Sequence, residues 1–373
     1  MSRNKFRLGK VFGIPVRIDA SWLLIFVWVT WSLAGSYFPR MYGSWSSTLT
    51  WAMAVVASLL FFGSVLLHEL GHALVARSHG TPVRDITLFL FGGVSSIADE
   101  PGTPREELLM AVAGPLVSVL LSGALGVLHL LFRGVSQPVA ALTLFLAGIN
   151  LSLGLFNLIP GFPLDGGRVL RAVLWGARKD LTWATHWASR VGRAVAYLFI
   201  LTGTVRAFAG DWVSGMWMAF MGLFLENAAR SAQLQLTLRN LLDGHVVGEI
   251  MSRDCRTVPP QLTLDVLVEQ YLLRGARRCF TVARGDSILG LLTIHNVRAV
   301  PRQQWRTTHV SDVLTPLEKL RVVTPETALW NALQEMTVEG VNQLPVLEDD
   351  KLVGMISRDS LLTFIRNKSE LGL

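Results

Sequence analysis

Apolar residues dominate the first 230 positions in six blocks, at 19–38, 51–76, 108–132, 138–159, 193–209 and 212–229. A membrane-crossing helix takes about 20 such residues, so the pattern predicts six crossings. Arg193 and Arg206 bound the fifth block, where long side chains can reach the membrane interface. The stretch "TLFLFGGVSS", residues 87–96, is too short to span. Its β-branched and glycine content predicts a re-entrant extended segment instead. From about residue 231 hydropathy falls, and "RSAQLQLTLRNLLDG" predicts a polar helical connector. The expected fold is an α-helical polytopic membrane domain over 1–230, a connector over 231–244 and a soluble α/β module beyond.

That module contains an internal repeat. The stretch starting "VGEIMSRDC" realigns with the one starting "VSDVLTPLE" at a spacing of roughly 64 residues. Each copy offers a helical stretch, two short β-rich runs split by "RGDS" or "EDDK", and another helix. The copies are placed at 245–302 and 308–368.

Composition agrees with the membrane assignment: 51% of residues are hydrophobic and 16% charged, against about 25% charged in soluble domains. The net charge of +7 needs no nucleic-acid partner, because basic residues cluster beside the apolar blocks. Arg3, Lys5, Arg7, Lys10 and Arg17 precede the first block, and no small-residue cleavage site follows it, so it reads as an anchor. The positive-inside rule then places both termini in the cytosol of a multi-pass plasma-membrane protein. The tryptophans at 22–31 and 212–217 read as interfacial belts. Cys255 and Cys279 have no metal-ligand spacing and read as reduced thiols.

Chemistry is concentrated in "VLLHELGHALVA", residues 65–76. Ionisable groups cost roughly 2.5–3.5 kcal/mol at the centre of a span, which points to a functional site. His68 and His72 are four apart, on one helical face, with Glu69 beside them. This is the H-E-x-x-H arrangement that binds zinc and supplies a general base. Catalytic zinc takes three protein donors. The best third donor is Asp165, an isolated carboxylate in "FNLIPGFPLDGGRVLR", flanked by Pro160, Pro163, Gly166 and Gly167. Such residues break a helix at membrane depth only where the freed backbone lines a cavity.

"HELGH" with "NLIPGFPLDGG" resembles the site-2 protease family of intramembrane zinc metalloproteases, and the six-span layout with trailing repeats is similar to its compact prokaryotic branch. The resemblance implies that His68, His72 and Asp165 bind one zinc ion and that Glu69 is the base. It implies that Asn157 and Pro163 hold substrate or the loop carrying Asp165, and that the segment with Gly92 and Gly93 pairs with an unwound substrate. Substrates in the family are single-span regulators such as anti-sigma factors, or membrane-bound transcription-factor precursors. Two departures stand out: Ser118 follows Gly114 and Pro115 where the family often has Asn, and no inter-span gap can hold a PDZ domain. Ser118 and Asn150 read as interhelical hydrogen-bonders, and His79, His129 and His186 as ordinary polar groups.

The repeat resembles a tandem pair of CBS domains, which in many relatives bind adenine nucleotides and can also mediate dimerisation. The family's ribose- and phosphate-holding positions correspond to Thr293 in the first copy, followed by Asn296 rather than Asp, and to Ser357 with Asp359 in the second. A rival reading is a CBS-regulated metal-ion transporter or channel. It accounts for buried polar groups, but not for Glu69 directly after His68.

Topology follows from the charge bias and the six blocks. Reporter fusions after residues 45, 180 and 240 are expected to read outside, inside and inside. An outside signal at 240 removes the cytosolic placement of the repeat module.

Overall fold

The computed structural model describes residues 5–90, 92–97, 101–253, 257–274, 279–285, 287–316, 318, 320–349 and 351–371. Cys255 and the second residue of each predicted Gly/Asp turn pair, Asp286 and Asp350, lie outside them. The chain forms two units, Met1–Gln235 and Leu236–Leu373.

The first unit opens with strands the hydropathy pattern did not suggest. β1 (Lys5–Val11) and β2 (Ile14–Asp19) form an antiparallel hairpin. Its turn takes positive φ at Phe12 (49°) and Gly13 (79°). β2 pairs in parallel with β3 (Val83–Phe89), which pairs antiparallel with β4 (Gly92–Ile97), giving the order β1-β2-β3-β4. The expected extended segment at 87–96 thus spans the end of β3 and most of β4.

The first apolar segment, Ser21–Met41, comprises α1 (Ser21–Ser32), a π turn and α2 (Phe38–Met41). α3 (Ser47–Ser78) runs for 32 residues from a cap in which the Ser46 hydroxyl accepts from the Leu49 amide. α4 (Pro104–Phe132) starts with Thr103 accepting from the Glu106 amide and Pro104 in the first turn, where a missing N–H costs nothing. α5 (Gln137–Asn157) ends at the predicted break, and α6 (Asp165–Arg178), α7 (Leu181–Phe208) and α8 (Trp212–Leu242) follow.

Among the described residues, five helical segments are long and apolar enough to cross a membrane: Ser21–Met41, α3, α4, α5 and α7. α8, expected as the sixth, is not among them; Glu226, Asn227 and Arg230 interrupt its apolar run. The fifth span begins well before residue 193, since α7 starts behind an Asp180 cap. The predicted connector continues α8 rather than forming a separate helix.

Two packing relations position the central helices. Leu70 and Ala73 on one face of α3 are buried against Ile14 and Ile86, so the sheet is seated on the turns that carry the histidines. α3 and α4 meet where both are thin: a Cβ on Gly71 would lie 3.0 Å from the Ala113 carbonyl oxygen. Small residues at such a crossing let backbones approach, which is the main source of helix association in lipid.

The second unit is a reciprocal exchange of two copies. The first comprises α9 (Val247–Ile250), β5 (Thr257–Val258), α10 (Leu264–Val266), β6 (Cys279–Arg284), β7 (Ser287–Thr293) and α11 (Ile294–Arg298). The second comprises α12 (Val310–Val313), β8 (Thr315–Pro316), α13 (Leu329–Val338), β9 (Gln343–Glu348), β10 (Lys351–Ser357) and α14 (Arg358–Glu370). β8 completes the first copy's sheet beside β7, and Val310 is buried with Val258, Phe280 and Leu292. In return Val247 is buried with Leu329, Leu344 and Ile356 of the second copy, and Ser252 bridges Met355.

Candidate metal centre

α3 presents His68 and His72 to α4, and both rings are buried. The His72 Nδ1 lies 2.6 Å from the Met110 carbonyl oxygen, and the His68 Nδ1 2.9 Å from the Ser118 hydroxyl. A carbonyl only accepts, so the His72 Nδ1 carries the proton and its Nε2 presents a lone pair. With Ser118 accepting, His68 takes the same tautomer. α4 therefore orients both rings from behind. It can come this close because residue 114 is glycine: a Cβ there would run into both imidazoles.

The third donor arrives from α6. Asp165 Oδ2 lies 3.1 Å from the His68 Nε2 and 3.2 Å from the His72 Nε2, and the two Nε2 atoms are 3.2 Å apart. The sequence reaches this geometry by folding the break between α5 and α6 onto itself. A Cβ on Gly166 would strike the Leu158 and Ile159 carbonyls, and one on Gly167 would strike the backbone at Gly161 and Phe162. Two glycines after Asp165 thus bring the broken segment against the first turn of α6.

A buried ion pair ties α6 to α4. Glu107, fully buried on α4, accepts from the Arg171 Nε at 2.6 Å and from the same guanidinium's Nη2, while the Arg168 Nε lies 4.0 Å away. Arg171 also sits over the Phe162 ring, 5.1 Å from its centre. Nothing in the spacing of Glu107 and Arg171, 64 positions apart, signalled this pair.

The donor set fits a metal. Two imidazole nitrogens and a carboxylate oxygen converge within 3.1–3.2 Å, and with both rings neutral and protonated at Nδ1 all three are acceptors that a shared cation would hold together. Nitrogen donors with one carboxylate suit zinc, and three protein donors leave one position of its usual tetrahedron for water or substrate.

Glu69 is on the adjacent face of α3, toward the sheet. The Ser95 hydroxyl on β4 donates to its Oε2 at 2.8 Å and reaches its backbone carbonyl at 3.3 Å. Gly93 packs on the Glu69 side chain, where a Cβ would overlap the Cγ. Gly92 opens β4 with φ at +128°. Asn157, half-buried, directs its amide to the Leu153 carbonyl at 3.0 Å, and Pro163 is exposed. Asn150 bonds across helices to the Ser64 hydroxyl at 3.1 Å. His79, His129 and His186 bond to Val75, Ala140 and Gln233. Ser118, read from sequence as an interhelical hydrogen-bonder, does bond across helices, and its partner is one of the clustered histidines.

The model of Peptidase family M50 matches residues 56–138 and 133–199, and that of the CBS domain matches 310–367. Rip3 of Mycobacterium tuberculosis is 35% identical over 367 residues, covering 97% of this chain and 93% of its own. The zinc metalloprotease MJ0392 of Methanocaldococcus jannaschii is 27% identical over 356 residues, covering 95% and 94%. A site-2 protease structure from the same archaeon shares 30% identity at a TM-score of 0.43, covering 61% of this chain and 95% of that one. The chain belongs to peptidase family M50, as a site-2-type intramembrane zinc metalloprotease with C-terminal tandem CBS domains. Membership favours the peptidase over the transporter.

The hydrogen bond behind His68 generates a test. Ser118→Ala should weaken zinc binding about 10–100-fold, the usual cost of losing a partner behind a ligand, while Ser118→Asn restores most of it. Competition with a chelator of known affinity reads the difference.

Proposed function

We propose that His68, His72 and Asp165 hold one zinc ion and that Glu69 is the general base for hydrolysis of a peptide bond in or near a substrate's transmembrane segment. The observation that carries this is the convergence of three ligand atoms within 3.1–3.2 Å, beside an independently held carboxylate on the same turn of α3. Zinc held by His68, His72 and Asp165 would supply Lewis-acid polarisation and lower the pKa of water toward about 7. Glu69 takes the proton from the attacking water and returns it to the departing amine. The Nδ1 bonds to Met110 and Ser118 hold both histidine rings in one tautomer throughout.

A transmembrane helix hides its carbonyls in its own hydrogen bonds, so the substrate has to unwind before attack. β4 ends the sheet, and its outer edge, beside Gly92 and Gly93, suits an added strand. Asn157 and Pro163 act on the loop that delivers Asp165. The substrate class is a single-span regulator, either an anti-sigma factor or a membrane-bound transcription-factor precursor.

Both termini are assigned to the cytosol of a plasma-membrane protein. α8 supplies the sixth crossing: Gly203, Gly215 and Gly222 put its backbone against α7, and Trp212, Val213, Met216 and Leu223 remain exposed, as a lipid-facing surface requires.

In the CBS pair the Thr293 hydroxyl donates to the Asn296 Oδ1 at 2.5 Å, and Ser357 caps α14. Asp359 lines an open surface depression with Ile250, Ser360, Thr363, Phe364 and Asn367. An adenine nucleotide is assigned to the module, which also pairs two chains. Calorimetry of the full chain with ATP, ADP and AMP, with light scattering on the same samples, tests both assignments. No heat with any of the three removes the nucleotide, and a monomer mass removes the dimer.

Glu69→Gln tests the base and names the substrate. The amide should leave zinc content near wild type and abolish cleavage, so that uncut substrate accumulates in the native host and co-purifies. Undiminished cleavage by this variant removes Glu69 from the mechanism.

A further inference from the structure

A glutamate has three side-chain torsions, so α3 fixes where the Glu69 Cβ starts but not where its carboxylate ends. The carboxylate is held from outside the helix. Ser95 donates to Oε2 at 2.8 Å, and the Gly93 backbone lies against Cγ and Cδ. Both groups are on β4, whose place is itself fixed. Ser95 pairs with Ile86 on β3, and Ile86 is fully buried against Leu70 and Ala73 of α3. The strand that holds the carboxylate is therefore docked on the helix that carries it. Among the described residues Ser95 makes no hydrogen bond to His68, His72 or Asp165, so it acts on the base separately from the metal donors.

We propose that Ser95 is a positioning residue for Glu69: its hydroxyl fixes Oε2 and leaves Oε1 free to receive the proton of the attacking water. The proposal rests on the reading of Glu69 as general base. It predicts a defect in turnover alone, because the zinc donors are untouched and the outer edge of β4 keeps its backbone groups. The expected size is about 10–100-fold, the range seen when the partner behind a reacting group is removed.

The test compares Ser95→Thr with Ser95→Val in the full chain, reconstituted in proteoliposomes with a synthetic single-span peptide carrying a Gly-Pro break. The two replacements have nearly the same shape and suit a strand equally well, and only one has a hydroxyl. Ser95→Thr should keep kcat near wild type. Ser95→Val, and Ser95→Ala with it, should lose about 10–100-fold in kcat with KM and zinc content unchanged. Ser96→Ala, the next residue along β4, should behave as wild type.

Equal kcat for the Thr and Val variants overturns the assignment. A matching fall in Ser96→Ala also overturns it, because the strand would then be acting only as scaffold. Glu69→Gln in the same assay separates the two levels. If that variant cuts at the wild-type rate, the base reading has failed. If it is inactive while Thr and Val are equal, only the role of Ser95 has failed.

Discussion

Three electron-rich atoms have to be held about 3 Å apart in surroundings that offer them little solvent, and most of the first unit answers to that constraint. His68 and His72 supply two of the atoms from adjacent turns of α3, which costs no extra chain. Asp165 must come from far along the sequence, and its carboxylate cannot sit in apolar surroundings without charge compensation. α4 solves the first half by lying behind both rings and fixing their tautomers through Met110 and Ser118. The glycine-rich break before α6 solves the second half by letting backbone stack on backbone where side chains would hold it away.

The Glu107 to Arg171 pair belongs to the same problem. It is buried where an ion pair gains little net stability, and Glu107 Oε2 has no hydrogen-bond partner among the described residues. A pair of apolar residues could fill that space with less desolvation cost. An ion pair, however, discriminates between registers of α6 on α4 far more sharply than apolar contact does. A slide of one residue would leave a buried charge unmatched, at roughly 3–5 kcal/mol. Six positions separate Arg171 from Asp165, so the register it fixes is the one that delivers the carboxylate.

What could be read in the sequence follows from cost. His68, Glu69, His72 and Asp165 are conspicuous because ionisable groups in apolar blocks are expensive, and the breaking residues around Asp165 are conspicuous for the same reason. The supporting groups are not. Ser118 and Ser95 are cheap polar residues that look alike whether they bond a backbone carbonyl, a neighbouring helix or a reacting carboxylate. The β1–β2 hairpin was hidden because Arg7, Lys10 and Arg17 made its strands read as a basic flank, and Phe6 and Leu8 remain exposed. The end of the apolar run in α8 was hard to place because Glu226 and Asn227 dilute it gradually. The repeat was legible from its alignment, but the sharing of cores between copies was not, since hydrophobic patterning says that Val247 and Val310 are inside without saying inside what.

That sharing separates two kinds of boundary. The repeat divides the chain between the copies, near residue 305, whereas the physical seams fall later, after α9 in the first copy and after β8 in the second. A protease nicking the intervening segment would sever the polypeptide yet leave two fragments clasped, each with its opening helix lodged in the other. Conversely, any rearrangement that loosens one core draws on residues belonging to both. The repeat is modular and the packing is not, so the two copies share their cores as a single body.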